Sequence, residues 1–300
     1  MKKRIYRIHY SLVMVIALLG MIIMGCEDPV PTDDYVRRPF VEAILIVDEP
    51  MDGILLSYSQ PINKAYNYKE AVIKDANIVL TTATDRIQLA FRDTPIGGEY
   101  YCPDTSVRVK PNMQYFLEVR LQDGTLLTAS TTTPGRIRYT QPPRPVLYFP
   151  ADTNNLNAPQ DDSLMLKWTA EPNTKEYLIR ITCLDTMEYG KYLAPPTMEK
   201  NYRRTRFFDS EFDPRRNNPT DYGFITTTNV PTVWNAFKWF GPHEIVIYAS
   251  DRNFTEWFKQ SFTGNTFDFL KSNIKGNGIG VLGSASQAYS KIFLMKYPRK

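Results

Sequence analysis

The stretch "YFLEVRLQDGTLLTAST", residues 115 to 131, decides the fold class. Tyr115, Leu117, Val119 and Leu121 alternate with Phe116, Glu118 and Arg120. A two-residue period places one set on each face of a strand. Asp123-Gly124 supplies the residues a tight hairpin turn favours, and an equally β-prone run follows. Upstream, "VEAILIVDE" (residues 41–49) and "ILLSYS" (54–59) flank the turn Pro50-Met51-Asp52-Gly53, and "ANIVLTT", "IQLAF" and "GGEYYC" come next. Six or seven short strands within about ninety residues predict a β-sandwich.

Downstream, "TTTPGRIRYTQPPRPVLYFP" carries five prolines and reads as a connection between domains. "SLMLKWT" and "EYLIRITCL" then flank the polar turn "AEPNTK", a pattern similar to fibronectin type III domains, and "EIVIYAS" is a further strand. Phe254, Trp257, Phe258 and Phe262 fall three and four residues apart, which predicts an amphipathic helix. A final strand is expected over 289–295, after Gly-rich turns. The predicted fold is mainly β: two tandem β-sandwich domains of the immunoglobulin or fibronectin III kind, the second with a short helical insertion. The expected boundaries are 40–134 for the first domain, 135–145 for the Pro-rich connection and 146–300 for the second. Within the second, 185–240 reads as an irregular insertion and 253–272 as helical.

The start of the chain carries an address. Lys2, Lys3, Arg4 and Arg7 precede an apolar run over residues 12–24. That run is shorter than the roughly 20 residues of a spanning helix and fits the apolar region of a secretory signal. It ends in Ile23-Met24-Gly25-Cys26, which resembles the lipobox of bacterial lipoproteins. Residues 1–25 are therefore read as a signal peptide and Cys26 as the lipidated residue, a membrane tether. The alternative is a short membrane anchor or buried helix whose cysteine is incidental. Residues 26–39, acidic and Pro-rich, read as an extended linker.

The net charge of +4 comes from the four basic residues before Cys26; beyond them 32 basic residues meet 32 acidic ones. A neutral chain lacks the basic footprint of a nucleic-acid binder. Charge is uneven nonetheless: residues 26–60 carry a net −6, and after Asp268 six basic residues meet no acid. Lysines guarding an exposed β edge are the favoured reading of the latter; the alternatives are two chain ends that lie side by side and a basic face turned toward anionic lipid. Cys102 and Cys183 lie in different expected domains and are read as free thiols, with a disulfide as the alternative.

The lipobox, "FVEAILIVDEP", "YFLEVRLQDGTLLTAST", "EYLIRIT" and "KSNIKGNGIGVLGSAS" together resemble a family of uncharacterised Bacteroidota outer-membrane lipoproteins built on a domain of unknown function (4249-like). The resemblance spans nearly the whole chain after Cys26. It implies a link to TonB-dependent receptors and an outer-membrane location, at the cell surface or on the periplasmic face. It brings no catalytic residues.

Gly278-Ile279-Gly280-Val281-Leu282-Gly283 matches G-x-G-x-x-G, yet the 17 residues after it hold no acid for a ribose. Turns or close strand contact account for these glycines better. His243 is the lone histidine after Cys26, with no G-x-S-x-G elbow to complete a triad and no second histidine for a metal. "DTNNLNAPQDD" (152–162) is rich in oxygen ligands but departs from calcium-loop spacing. The segment "NYRRTRFFDSEFDPRRNNPTDYG" (201–223) interleaves arginines with aromatics, the composition of a recognition surface. Its candidate recognition residues are Arg203, Arg204, Arg206, Phe207, Phe208, Arg215 and Arg216; the alternative is an irregular loop whose arginines pair with Asp209, Glu211 and Asp213. The expected function is a non-enzymatic accessory or binding partner of an outer-membrane complex, in particular a TonB-dependent receptor. No catalytic residue, metal or cofactor is assigned. The competing expectations are a surface glycoside hydrolase using paired carboxylates and a purely structural envelope component.

Overall fold

The computed structural model describes residues 35–61, 63–151, 156, 161–201, 218–263 and 271–296, without the side chains of 261–263. Residues Arg38–Gln60 and Tyr66–Lys300 make up one compact unit, to which everything below refers. The chain is mainly β, as the alternating runs predict.

The hairpin that fixed the fold class forms as read. Strand β6 (Gln114–Arg120) pairs antiparallel with β7 (Leu126–Thr132), and Gly124 takes the positive φ of 87° that its turn needs. With β3 (Asn77–Thr81), β4 (Arg86–Arg92) and β5 (Glu99–Tyr101) they make a five-stranded sheet, ordered β5-β4-β3-β6-β7. Tyr115, Leu117 and Val119 point into a buried cluster with Ile78 and Leu80.

The other side of that cluster comes from both ends of the chain. Strand β1 (Pro39–Ile46) pairs antiparallel with β2 (Leu55–Tyr58) and parallel with β15 (Ile279–Met295). The seven-stranded sheet then runs β12 (Thr220–Ile225), β11 (Tyr177–Cys183), β14 (Gly241–Ser250), β15, β1, β2, with β9 (Val146–Tyr148) paired to the far end of β15. Val41, Ala43, Leu45, Leu56 and Leu282 face the five-stranded sheet. Farther along, Ile179, Ile245, Ile247, Ala288 and Ile292 belong to a second cluster with Leu166 and Trp168. These last two lie on β10 (Met165–Trp168), the centre of a three-stranded sheet with β8 (Tyr139–Gln141) and β13 (Asn229–Pro231). The two clusters part near the Pro-rich connection, but the sheet does not: β1 and β2 pair with the end of the chain.

Several local expectations change. The runs around "AEPNTK" lie in different sheets, and Trp168 meets Tyr177 edge-on at 5.4 Å. The expected irregular insertion contains edge strand β12, six residues long, and strand β13. The helix spans Arg252–Thr263, and residues 271 and 272 at the end of the expected segment are not helical. A short helical turn, Tyr68–Ala71, is α1 and the longer helix is α2. Phe254 and Phe258 of α2 pack with Leu178, Val246, Tyr248 and Ala285 on the face of the sheet opposite the two clusters.

Of the glycines of "GIGVLG", Gly280 and Gly283 lie within β15, and Gly278 immediately precedes it. Gly280 sits at φ 128°, and a Cβ there would fall on the carbonyl of Val41 in the paired strand. At Gly283 a Cβ would come within 3.0 Å of the Phe254 backbone nitrogen. The first glycine lets β1 lie against β15, and the second lets α2 settle on the sheet. A dinucleotide fingerprint needs a helix opening at the glycines; here a strand opens at Ile279 and runs through Gly280 and Gly283.

Candidate functional site: a charged cleft on the first sheet pair

Aspartate and arginine residues far apart in sequence converge beside the five-stranded sheet. A cleft of about 590 Å³ is lined by the loop after β1, the β3–β4 turn, the 106–110 segment, Tyr115 and Arg136. Its framework is main chain. The Asp48 N–H donates to the Val109 carbonyl at 2.8 Å and the Val109 N–H to the Glu49 carbonyl at 3.1 Å. Asp48 holds φ at 68°, a conformation aspartate tolerates better than most side chains. The buried Tyr115 hydroxyl accepts the Lys110 N–H at 2.8 Å, which fixes the floor.

Two ion pairs cross this framework. The Arg136 guanidinium grips Asp48 through two parallel bonds of 2.6 and 2.7 Å, across 88 residues of sequence. Lys110 Nζ donates to Asp85 at 2.8 Å, and the Thr84 hydroxyl donates to the same carboxylate at 2.9 Å. The Arg136 bond holds the Asp48 carboxyl below the usual range, and the Lys110 bond does so for Asp85. Both stay ionised. Arg86 and Arg108 line the same cleft, and neither has a carboxylate partner among the described residues. Arg108 instead donates to the carbonyls of Thr105 and Val107.

A second groove, about 610 Å³, lies on the outer side of the same sheet around half-exposed Phe116. Its most prominent amides are already committed. Asn273 Nδ2 donates to the Leu282 carbonyl at 2.8 Å and its Oδ1 accepts the Leu282 N–H at 2.9 Å, while Asn253 Nδ2 donates to the Ser130 carbonyl at 3.2 Å. These side chains join β7 to β15 and leave little to offer a ligand.

Two described carboxylates are held above their usual range, both chiefly by burial. Asp251 accepts the Thr131 hydroxyl at 2.6 Å, the Phe254 N–H at 2.8 Å and the Ser284 N–H at 3.1 Å. It caps α2 and ties that helix to β7 and β15. Glu42 lies on β1, on the same face as Phe40, whose ring meets Trp257 at 5.7 Å. Neither lines the charged cleft.

Cys26 and the recognition residues Arg203, Arg204, Arg206, Phe207, Phe208, Arg215 and Arg216 lie outside the described residues, as do Asp209, Glu211 and Asp213. At the end of that segment Tyr222, on β12, meets the Phe258 ring at 5.0 Å, so this aromatic packs against α2. No group of three or more His, Cys, Asp or Glu among the described residues could hold a metal. His243 is buried, donates from Nδ1 to the Gly241 carbonyl at 2.9 Å and packs edge-on against Phe237. Cys102 and Cys183 are both free.

The cleft gave no local sequence signal. Its charged residues are scattered from 48 to 136, each beside an ordinary turn or strand end, and only the register of the fold unites them.

The model of the family described as Domain of unknown function (DUF4249) matches residues 28–291. The chain belongs to this family. Comparison with curated proteins gives no match. Among the described residues no helix of this family member is long and apolar enough to cross a membrane.

Proposed function

We propose that this chain is a non-enzymatic, lipid-anchored protein of the bacterial envelope, acting as an accessory or binding partner of an outer-membrane complex, in particular a TonB-dependent receptor. The observation that carries the binding half of this reading is the charged cleft. Its two carboxylates are each locked to a cation and held below the usual range. A glycoside hydrolase needs one carboxyl raised toward neutrality as proton donor, facing a second across the bond to be cut. Asp251 and Glu42, the described carboxyls shifted upward, serve a helix cap and a strand face instead. Charge recognition is the chemistry that Asp48, Asp85 and their partners favour.

The anchoring half rests on the sequence alone: the lipobox ending in Cys26, in the setting of an outer-membrane lipoprotein of the Bacteroidota. As part of the same reading, each buried cluster is taken as a sandwich of the immunoglobulin or fibronectin III kind, the two sharing the seven-stranded sheet. Arg203, Arg204 and Arg206, with neighbouring Phe207 and Phe208, would contribute to partner capture beside Arg215 and Arg216.

Metabolic labelling with a fatty-acid probe tests the anchor. Label is expected on the native chain and absent from Cys26→Ala; equal labelling of both removes the tether. Affinity purification from membranes is expected to bring down a receptor-sized outer-membrane protein. Joint replacement of Arg203, Arg204 and Arg206 by alanine should abolish this capture while leaving thermal unfolding unchanged. Undiminished capture excludes that segment.

A further inference from the structure

Of the four cations lining the charged cleft, Lys110 and Arg136 are paired, while Arg86 and Arg108 have no carboxylate partner among the described residues. The lining therefore carries two positive charges in excess of its carboxylates. The same lining includes the apolar residues Met51, Ile87, Val107 and Val109. Low-dielectric walls focus the field of such charges and concentrate an anion between them. The cation excess also repels itself, so the arrangement gains stability when an anion enters.

The magnitude of the excess selects the ligand. A lone carboxylate would leave one guanidinium uncompensated. A phosphate monoester carries about −1.5 to −2 charges near neutral pH and three acceptor oxygens. The planar guanidinium fork meets two such oxygens at once, which an ammonium does not. A volume of about 590 Å³ also falls in the range of small-molecule sites, leaving room for the group that bears the phosphate. We infer that this cleft binds a phosphate monoester, with Arg86 and Arg108 as its principal holds and Lys110 and Arg136 lending charge from the flanks. No bond is made or broken. The inference rests on the cleft being a recognition site, and it stands independently of the anchor at Cys26 and of any receptor. The ester could belong to a soluble metabolite or to a lipid headgroup, since both present the same oxygens.

The test uses the full chain in micelles of a neutral detergent, followed by phosphorus NMR. In one arm glycerol phosphate is titrated in; in the other the micelles are doped with phosphatidic acid. Saturable broadening is expected in at least one arm, weakened tenfold or more in Arg86→Gln/Arg108→Gln and unchanged in Arg120→Gln, which lies outside the cleft. Should the double variant melt early, the two single variants are each expected to weaken binding at least threefold. Saturation by glycerol phosphate alone supports a soluble ligand, and by phosphatidic acid alone a headgroup. Absence of binding in both arms, or binding undiminished in every arginine variant, overturns the inference. Release of inorganic phosphate from glycerol phosphate would refute the non-catalytic reading while leaving phosphate binding intact.

Discussion

His243 offers the sharpest test of the second buried cluster. Its ring is 1 % exposed on β14, stacked edge-on against Phe237 with centroids 5.2 Å apart. Nδ1 donates to the Gly241 carbonyl, while buried Nε2 has no hydrogen-bond partner among the described residues. A second proton would have to sit on Nε2, as a buried cation with nothing to accept its hydrogen bond. Burial accordingly pushes the imidazole down to about 4, against a partial upward pull from the Gly241 carbonyl. The unfolded chain takes up this proton near the ordinary value of about 6.5. Between those values the unfolded state binds more protons than the folded one, so stability is full above about 6.5 and falls as pH drops toward 4. Going from pH 7.5 to 4.5, the linkage amounts to about 2.5 kcal/mol from this one ring.

The perturbation is His243→Asn, whose side-chain amide can keep the bond to Gly241 and has no proton to gain. Urea unfolding of both chains, read by tryptophan fluorescence at pH 7.5 and 4.5, gives four stabilities. Carboxylates contribute equally to both chains, so they cancel in the double difference. The native chain is expected to lose about 2.5 kcal/mol more than the variant over this interval. Equal losses would refute the reasoning, and so would a His243 titration midpoint near the ordinary value in the folded protein.

Two further outcomes follow from the same packing. Gly280→Ala places a methyl group against the Val41 carbonyl at φ 128° and should cost at least about 2 kcal/mol in urea unfolding, while Gly283→Ala, whose Cβ would meet Phe254 at 2.8 Å, a looser contact, and without a positive φ, should cost less; the opposite order would place the tighter contact at the helix. The Cys183 thiol is buried and pushed up to about 11, chiefly by that burial, whereas Cys102 is half-buried, so a thiol reagent at neutral pH should modify Cys102 in the native protein and Cys183 only after denaturation; early modification of Cys183 would contradict its burial.

The parts of this fold that were legible in the sequence are those whose signal is local. The alternation in residues 115–121 and the turn at Asp123-Gly124 encode β6, β7 and their register within about twenty residues. Phe254, Trp257 and Phe258 likewise announce α2, because a helical face is written at spacings of three and four. Pairing between distant strands has no such signature. "FVEAILI" is apolar at nearly every position because β1 is covered on one face by the five-stranded sheet and meets Trp257 of α2 on the other through Phe40, yet nothing in those seven letters names β15 as the partner. The charged cleft is illegible for the same reason. Arg136 and Asp48 face each other only once the loop after β1 has been fixed against the 107–110 backbone, and their separation in sequence conceals the pair.

Parallel pairing of β1 with β15 has a consequence for how the protein holds together. Leu282 belongs to the first cluster, and Ala288, Ile292 and Leu294 to the second, so one continuous strand serves both. Such a strand can cross two cores only if its neighbours come close at the crossing, and there it carries Gly280, Gly283 and a run of small residues, Ser284, Ala285 and Ser286, all buried. At the same level the Thr131 hydroxyl lies 2.8 Å from that of Ser284 and donates to Asp251, the cap of α2. Three elements that approach from different directions thus share one small polar knot, in which the Thr131 and Ser284 hydroxyls and the Asp251 carboxylate are hydrogen-bonded. The Gly-rich sequence that resembles a nucleotide loop is, in physical terms, the thin section of β15 where the five-stranded sheet, α2 and the seven-stranded sheet meet.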